Sequence, residues 1–173
     1  MFRKVSKLKG GPFMIKDENT NAKICAFFVS DYHFEMMSLP YINRCIENNK
    51  QIVVLTENNL QGTVKDVIER MNLKDERKEQ FLSIDWNKND FKKLKSIKNN
   101  LKDNENNVVV FIKGKEKYVR NMNKKIGENR NIKIIDCYDL EDVEKNINGI
   151  IMEYDKVLKT SGEEDVKKYS KKS

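Results

Sequence analysis

Apolar residues fall along this chain in short continuous runs separated by stretches of helical period. Strands are predicted over roughly 23–30, 51–56, 81–85, 108–112 and 132–137. The clearest is Val108-Val109-Val110-Phe111-Ile112, a run with no polar alternation, as expected of a strand buried on both faces. Between the strands the period changes. A helix is predicted over 39–49, with Pro40 in its first turn and Ile42, Cys45 and Ile46 as its buried stripe. Thr63 reads as an N-cap before Val64, Val67, Ile68 and Met71, spaced i, i+3, i+4, i+7. Phe91, Leu94, Ile97 and Leu101 mark the next helix, behind a cap at Asn89 or Asp90, and Tyr118, Val119, Met122 and Ile126 mark one over 115–127. Leu140, Val143, Ile147, Ile150, Ile151, Tyr154 and Leu158 suit one long last helix, capped by Asp139 and running to about 159. Alternation of this kind predicts an α/β, three-layer α-β-α, Rossmann-like domain with about five mainly parallel strands.

Composition adds boundaries. Residues 1–21, basic and then polar, read as an arm or an extra edge strand at Phe13-Met14-Ile15, residues 22–159 as the single domain, and the Lys/Glu/Ser-rich residues 160–173 as a flexible charged tail. The net charge is +7, from 34 basic and 27 acidic residues, which permits nucleic acid, anionic lipid or acidic partners. The three cysteines form no CxxC pair, so a reduced, cytoplasmic protein is expected, with Cys25 and Cys137 as small core residues. The first residues lack the apolar stretch of a signal peptide, and no run approaches a membrane span.

In a fold of this class ligands bind beyond the carboxyl ends of the strands. The polar groups expected there are Ser30, Asp31, Tyr32, His33 and Glu35, then Thr56, Glu57 and Asn58, then Asp85 and Trp86, then Lys113, Gly114 and Lys115. Of these, Ser30, Asp31, His33, Thr56, Glu57, Asp85 and Trp86 are candidate ligand-binding residues. Lys113, Gly114 and Lys115, with Arg120 behind them, could hold an anion at a helix N-terminus. Residues 113–133 carry eight basic and two acidic groups. The position where a phosphate loop would stand reads SDYHFEMMS, without glycine and with two acids, which argues against ATP or NAD at that turn. A GxGxxG fingerprint and a GxSxG elbow are both absent, and His33, the only histidine, has no HxH or HExxH spacing around it. No residue is therefore assigned to catalysis or metal binding, and no cofactor is specified. A phosphoacceptor receiver fails at the expected lysine after strand five, where the chain reads Cys137-Tyr138-Asp139.

Residues 24–57 combine an apolar strand, a polar loop, a helix of FxxxxLPYI type and the strand end IVVLTEN. Through Phe34, Leu39, Pro40, Ile42, Ile46 and Thr56-Glu57-Asn58 this stretch resembles the MEDS sensory domain, a degenerate relative of RecA and KaiC-type ATPases that lacks the phosphate loop. The resemblance implies a bacterial regulator's sensing domain and carries no ligand role onto His33. The leading expectation is thus a non-catalytic regulatory or sensing module that binds a small ligand or protein partner at the strand edge. One alternative is an enzyme acting on phosphorylated or nucleotide substrates, with Asp31, Glu57 and Asp85 as its acids. Another is a nucleic-acid adaptor using the basic arm and residues 113–133, and the apolar face of the last helix suits either the sheet or a homodimer.

Overall fold

Each of the first four strands is followed by a segment that returns over one face of the sheet, so the sheet grows from parallel crossovers. The structure, a computed structural model, describes residues 22–100, 107–129 and 131–170. In order these form β1 (Ile24–Phe28), α1 (Asp31–Glu47), β2 (Gln51–Thr56), α2 (Gln61–Arg70), α3 (Asp75–Leu82), α4 (Asp90–Asn100), β3 (Val108–Gly114), α5 (Glu116–Ile126), β4 (Ile132–Asp139), α6 (Leu140–Val143), a 3-10 turn (Glu144–Asn146), α7 (Ile147–Ile151), β5 (Lys156–Lys159), β6 (Gly162–Asp165) and α8 (Lys167–Ser170). The strand order is β2-β3-β4-β1-β5-β6, with only β6 antiparallel to its neighbour.

Alternation of side chains across the sheet divides the core into two layers. Ala26, Phe28, Val54, Val109, Phe111 and Cys137 pack under α1, α2 and α3. Cys25, Leu55, Val110, Ile112, Tyr138 and Val157 pack under α4, α5 and α7. The expected α/β architecture of three layers and a mainly parallel sheet is therefore observed. All three cysteines are buried and free, and burial pushes the Cys25 thiol up to about 12 and that of Cys45 up to about 11. Among the described residues no helix is long and apolar enough to cross a membrane.

Five expectations need correction. Thr63 is not an N-cap: α2 begins at Gln61 after Leu60, and the Thr63 hydroxyl, inside the first turn, donates to Glu35. The first helix begins at Asp31, not near 39, so Pro40 lies well inside it. Pro40 and Met36 are both exposed, which leaves the carbonyl that loses its i+4 N–H donor open to water. Residues 81–85 are not a strand. Phe81 and Leu82 end α3, and Phe81 and Trp86 are core residues under the α1 layer. Phe91 is 81% exposed and is not on the buried side of α4, which is formed by Ile97 with Leu94 beside it. The long last helix is replaced by α6, α7 and a β5–β6 hairpin. The hairpin places Val157 and Leu158 beside β1 and includes residues expected to belong to a tail. The arm at 1–21 and most of the polar turn after α4 lie outside the described residues.

Candidate functional site

The carboxyl end of β1 runs directly into the N-terminus of α1, and local hydrogen bonds fix that corner. The Ser30 hydroxyl accepts from the His33 N–H at 3.1 Å, as an N-cap does. His33 reaches back, and its Nδ1 accepts from the Val29 N–H at 3.0 Å. Both side chains, expected as ligand groups, thus serve first to start the helix. They aim Asp31 across the sheet edge and leave Val29 and Tyr32 exposed, with Met36 one turn on.

Asp31 meets Lys113, from the end of β3. The Lys113 ammonium donates to Asp31 Oδ1 and to Asn58 Oδ1, each at 2.9 Å. Asn58 Nδ2 donates to the other Asp31 oxygen at 3.0 Å. Thr56, buried at the end of β2, donates its hydroxyl to the Asn58 carbonyl at 2.8 Å and so holds that turn in place. The lysine side chain is 3% exposed against 35% for Asp31, and its ammonium lies 4.4 Å from the centre of the Phe28 ring. A buried cation is tolerable here because a carboxylate, an amide oxygen and an aromatic face surround it.

The next turn, expected to bind an anion, is filled by the protein's own acids. The Lys115 N–H, at the N-cap of α5, donates to Glu57 Oε1 at 2.9 Å. The Glu116 N–H donates to Asp142 Oδ2, also at 2.9 Å. A carboxylate beside these first N–H groups satisfies the positive end of the helix dipole, so an incoming anion would have to displace both acids. Gly114 is required by the same contact, since a Cβ there would sit 2.6 Å from Glu57 Oε1 and 2.8 Å from Tyr118 Cδ2. Tyr118 is itself held by Asp90, to which its hydroxyl donates at 2.8 Å.

Behind Asp31 on α1, Glu35 is fully buried. One oxygen accepts from the Thr63 hydroxyl of α2 at 2.5 Å, while Oε1 and the neighbouring Ser38 hydroxyl have no hydrogen-bond partner among the described residues. Burial pushes the Glu35 carboxyl above the usual carboxylate range. The Thr63 hydrogen bond opposes the shift, and Asp31 adds to it.

The structure therefore brings together Ser30, Asp31, His33, Thr56, Glu57, Lys113, Gly114 and Lys115. It does not bring Asp85, Trp86 or Arg120 to them. Asp85 follows α3 on an exposed turn, 3.9 Å from Lys93. Trp86 is wholly buried, with its indole N–H donating to the Phe81 carbonyl at 3.0 Å, so it has no face to offer a ligand. Arg120 points away, pinned by Glu116 at 2.7 Å and by both oxygens of Glu153 at 3.0 Å. Sequence reasoning placed Asn58 at the strand edge without a partner and gave Asp142 and the Phe28 ring no role at this site, because each acts through a contact distant in the chain. Among the described residues no group of three or more His, Cys, Asp or Glu side chains could hold a metal ion. The chain matches no family model, no curated protein and no solved structure.

Proposed function

We propose that this chain is a non-catalytic regulatory or sensing module that engages a protein partner at the corner where β1 meets α1. One observation carries the reading. The polar groups of the strand edge are spent on one another, while the apolar side chains beside them are exposed. Val29, Tyr32 and Met36 are 67%, 61% and 41% exposed, and they are three of the five large apolar residues exposed among those described. An apolar patch rimmed by a fixed ion pair is the anatomy of a docking surface. The phosphate- or nucleotide-processing alternative is weakened by Glu57 and Asp142 on the α5 N-terminus and by the full engagement of Lys113. The MEDS-like pattern of residues 24–57 agrees with a sensing role without adding a ligand.

A photo-crosslinker introduced at Tyr32 or Met36 should capture one discrete partner from native lysate, and the same group at Glu69 on α2 should not. Tyr32→Ser with Met36→Ser should abolish capture and leave the melting temperature unchanged. Magnesium-dependent turnover of a nucleotide or phosphoester, lost in Asp31→Asn, would overturn the proposal.

A further inference from the structure

Away from the strand edge, α5 and the corner between α7 and β5 stand apart over β4 and leave an open cleft of about 820 Å³, within the range of small-molecule sites. Its floor is the face of β4 that carries Ile132, Ile134, Asp136 and Tyr138. Three of these are apolar or aromatic, as a surface beneath a helix layer requires. Asp136 is the exception: a carboxylate 6% exposed on a sheet face.

Hydrogen bonds orient the acid; burial pushes its carboxyl above the usual carboxylate range, and those bonds, with Arg120 and Lys23, oppose the shift. Asn123 of α5 donates to Oδ1 at 2.6 Å, and the Tyr154 hydroxyl donates to Oδ2 at 2.6 Å. The Tyr154 oxygen also lies 2.5 Å from that of Tyr138, so the two phenols form a chain ending on the carboxylate. Among the described residues no ion pair includes Asp136. Of the basic residues that line the cleft, Arg120 is committed to Glu116 and Glu153. Compare Lys113, where a buried charge of the other sign has its counter-ion in place. A buried carboxylate is costly unless paired, and one left unpaired on the floor of an open cleft is a mark of a binding site.

We infer that this cleft is a small-molecule site for a planar organic cation of the amidinium or guanidinium type, received by the Asp136 carboxylate. Each carboxylate oxygen accepts one protein hydrogen bond and keeps capacity for a second, so the pair can accept two parallel N–H groups. The ligand supplies the missing positive charge, and the half-buried ring of Tyr154 offers it aromatic surface. Lys23, Arg120, Lys124 and Lys133 line the cleft against Glu128 and Glu153, so the attraction that a cation meets there is local to Asp136. The site shares no residue with the β1–α1 corner, and either proposal can fail alone.

Benzamidine, its neutral isostere benzamide and its anionic counterpart benzoate are the probes, titrated into the full chain while backbone amides are followed by NMR. The expected result is saturable benzamidine binding that shifts the amides of 120–124, 134–138 and 154, with benzamide and benzoate at least tenfold weaker. Asp136→Asn should weaken benzamidine at least tenfold. In the wild type, binding should weaken as pH falls from 8 toward 5, as a proton competes for Asp136. The titratable and charged groups facing the acid are Cys25 of β1, Arg120 of α5, Tyr138, Tyr154, Glu153 and Lys23. If the network is only a tie between β4, α5 and the corner, benzamidine will not bind, or will bind no better than benzamide. Either result overturns the inference, as does undiminished binding in a folded Asp136→Asn, and the wild-type probe series decides even if that variant fails to fold.

Discussion

Removing either member of the Asp31–Lys113 pair should not cost the same. In Asp31→Ala the ammonium stays where it is, 3% exposed, and loses the one carboxylate paired with it among the described residues. What remains is Asn58 Oδ1 at 2.9 Å and the Phe28 ring at 4.4 Å. Stranding one charge of a buried pair costs about 3–5 kcal/mol, and the surviving amide and ring contacts put this case near 3 kcal/mol. In Lys113→Met the stem keeps its packing on Phe28 and Phe34, and Asp31, 35% exposed, turns to water while still accepting from Asn58. That loss is of the order of one hydrogen bond, about 1 kcal/mol. The double variant strands nothing and should resemble Lys113→Met.

The assay is a double-mutant cycle by urea denaturation, with thermal melts beside it. For a chain of 173 residues about 1 kcal/mol moves the melting temperature by about 2–4 °C. Asp31→Ala should therefore melt about 6–12 °C lower and Lys113→Met about 2–4 °C lower. A pair this buried is screened little by salt, so the coupling should persist at ~1 M NaCl. Additive effects, or a Lys113→Met variant less stable than Asp31→Ala, would refute the claim that the lysine is the buried and dependent partner.

Three further outcomes follow from the same geometry. The Glu35 carboxyl is raised by burial, so the folded state holds its proton more tightly than the unfolded chain. Its contribution is complete below the unfolded value of about 4.3 and is lost as pH rises through the folded one. Glu35→Gln should therefore gain stability over the wild type progressively from mildly acidic to neutral pH in melts across that range, and a constant difference would contradict this. Gly114→Ala forces a Cβ against Glu57 and Tyr118 and should destabilise by about 1–3 kcal/mol, with Glu57→Ala in the same chain relieving part of the loss in a urea titration. Deleting residues 160–173 removes β6 and Val166, which is buried, and should lower the melting temperature by on the order of 5 °C; an unchanged melt by circular dichroism would return those residues to the status of a tail.

How much of this was legible in the sequence depends on how far each contact reaches. β1, β2 and β3 are continuous apolar runs, and the sequence pattern identified them because burial on both faces leaves no polar alternation to confuse it, while β4 kept its signal through Ile132, Ile134 and Ile135 despite Lys133 and Asp136. Phe81-Leu82-Ser83-Ile84-Asp85 is short and apolar enough to suit a strand or a helix end, and only the slot that receives Phe81 and Trp86 decides between them. The final segment misled for the opposite reason. Leu140 to Leu158 does carry a helical period, but β5 is four residues long and gains its stability from pairing with β1, more than a hundred residues earlier in the chain. At the candidate site the individual residues were visible and their partners were not. Asp31 and Lys113 are 82 residues apart, and nothing local told that they would neutralise each other.

That last contact changes what the strand edge can bind. The lysines at the carboxyl end of β3 invite an anionic ligand, and the sequence reading of Lys113, Gly114 and Lys115 expected one there. In the folded chain Lys113 is held by Asp31 and Asn58, and the N-terminus of α5 by Glu57 and Asp142. An anion would have to displace carboxylates already bonded at 2.9 Å, and would gain only what those acids already provide. A surface whose charges are internally matched gains little from charge and more from area, so the exposed Val29, Tyr32 and Met36 favour a partner with an apolar contact face. The Asp136 cleft obeys the converse rule. There the buried acid has hydrogen bonds but no ion pair among the described residues, and a cation from solution can supply one.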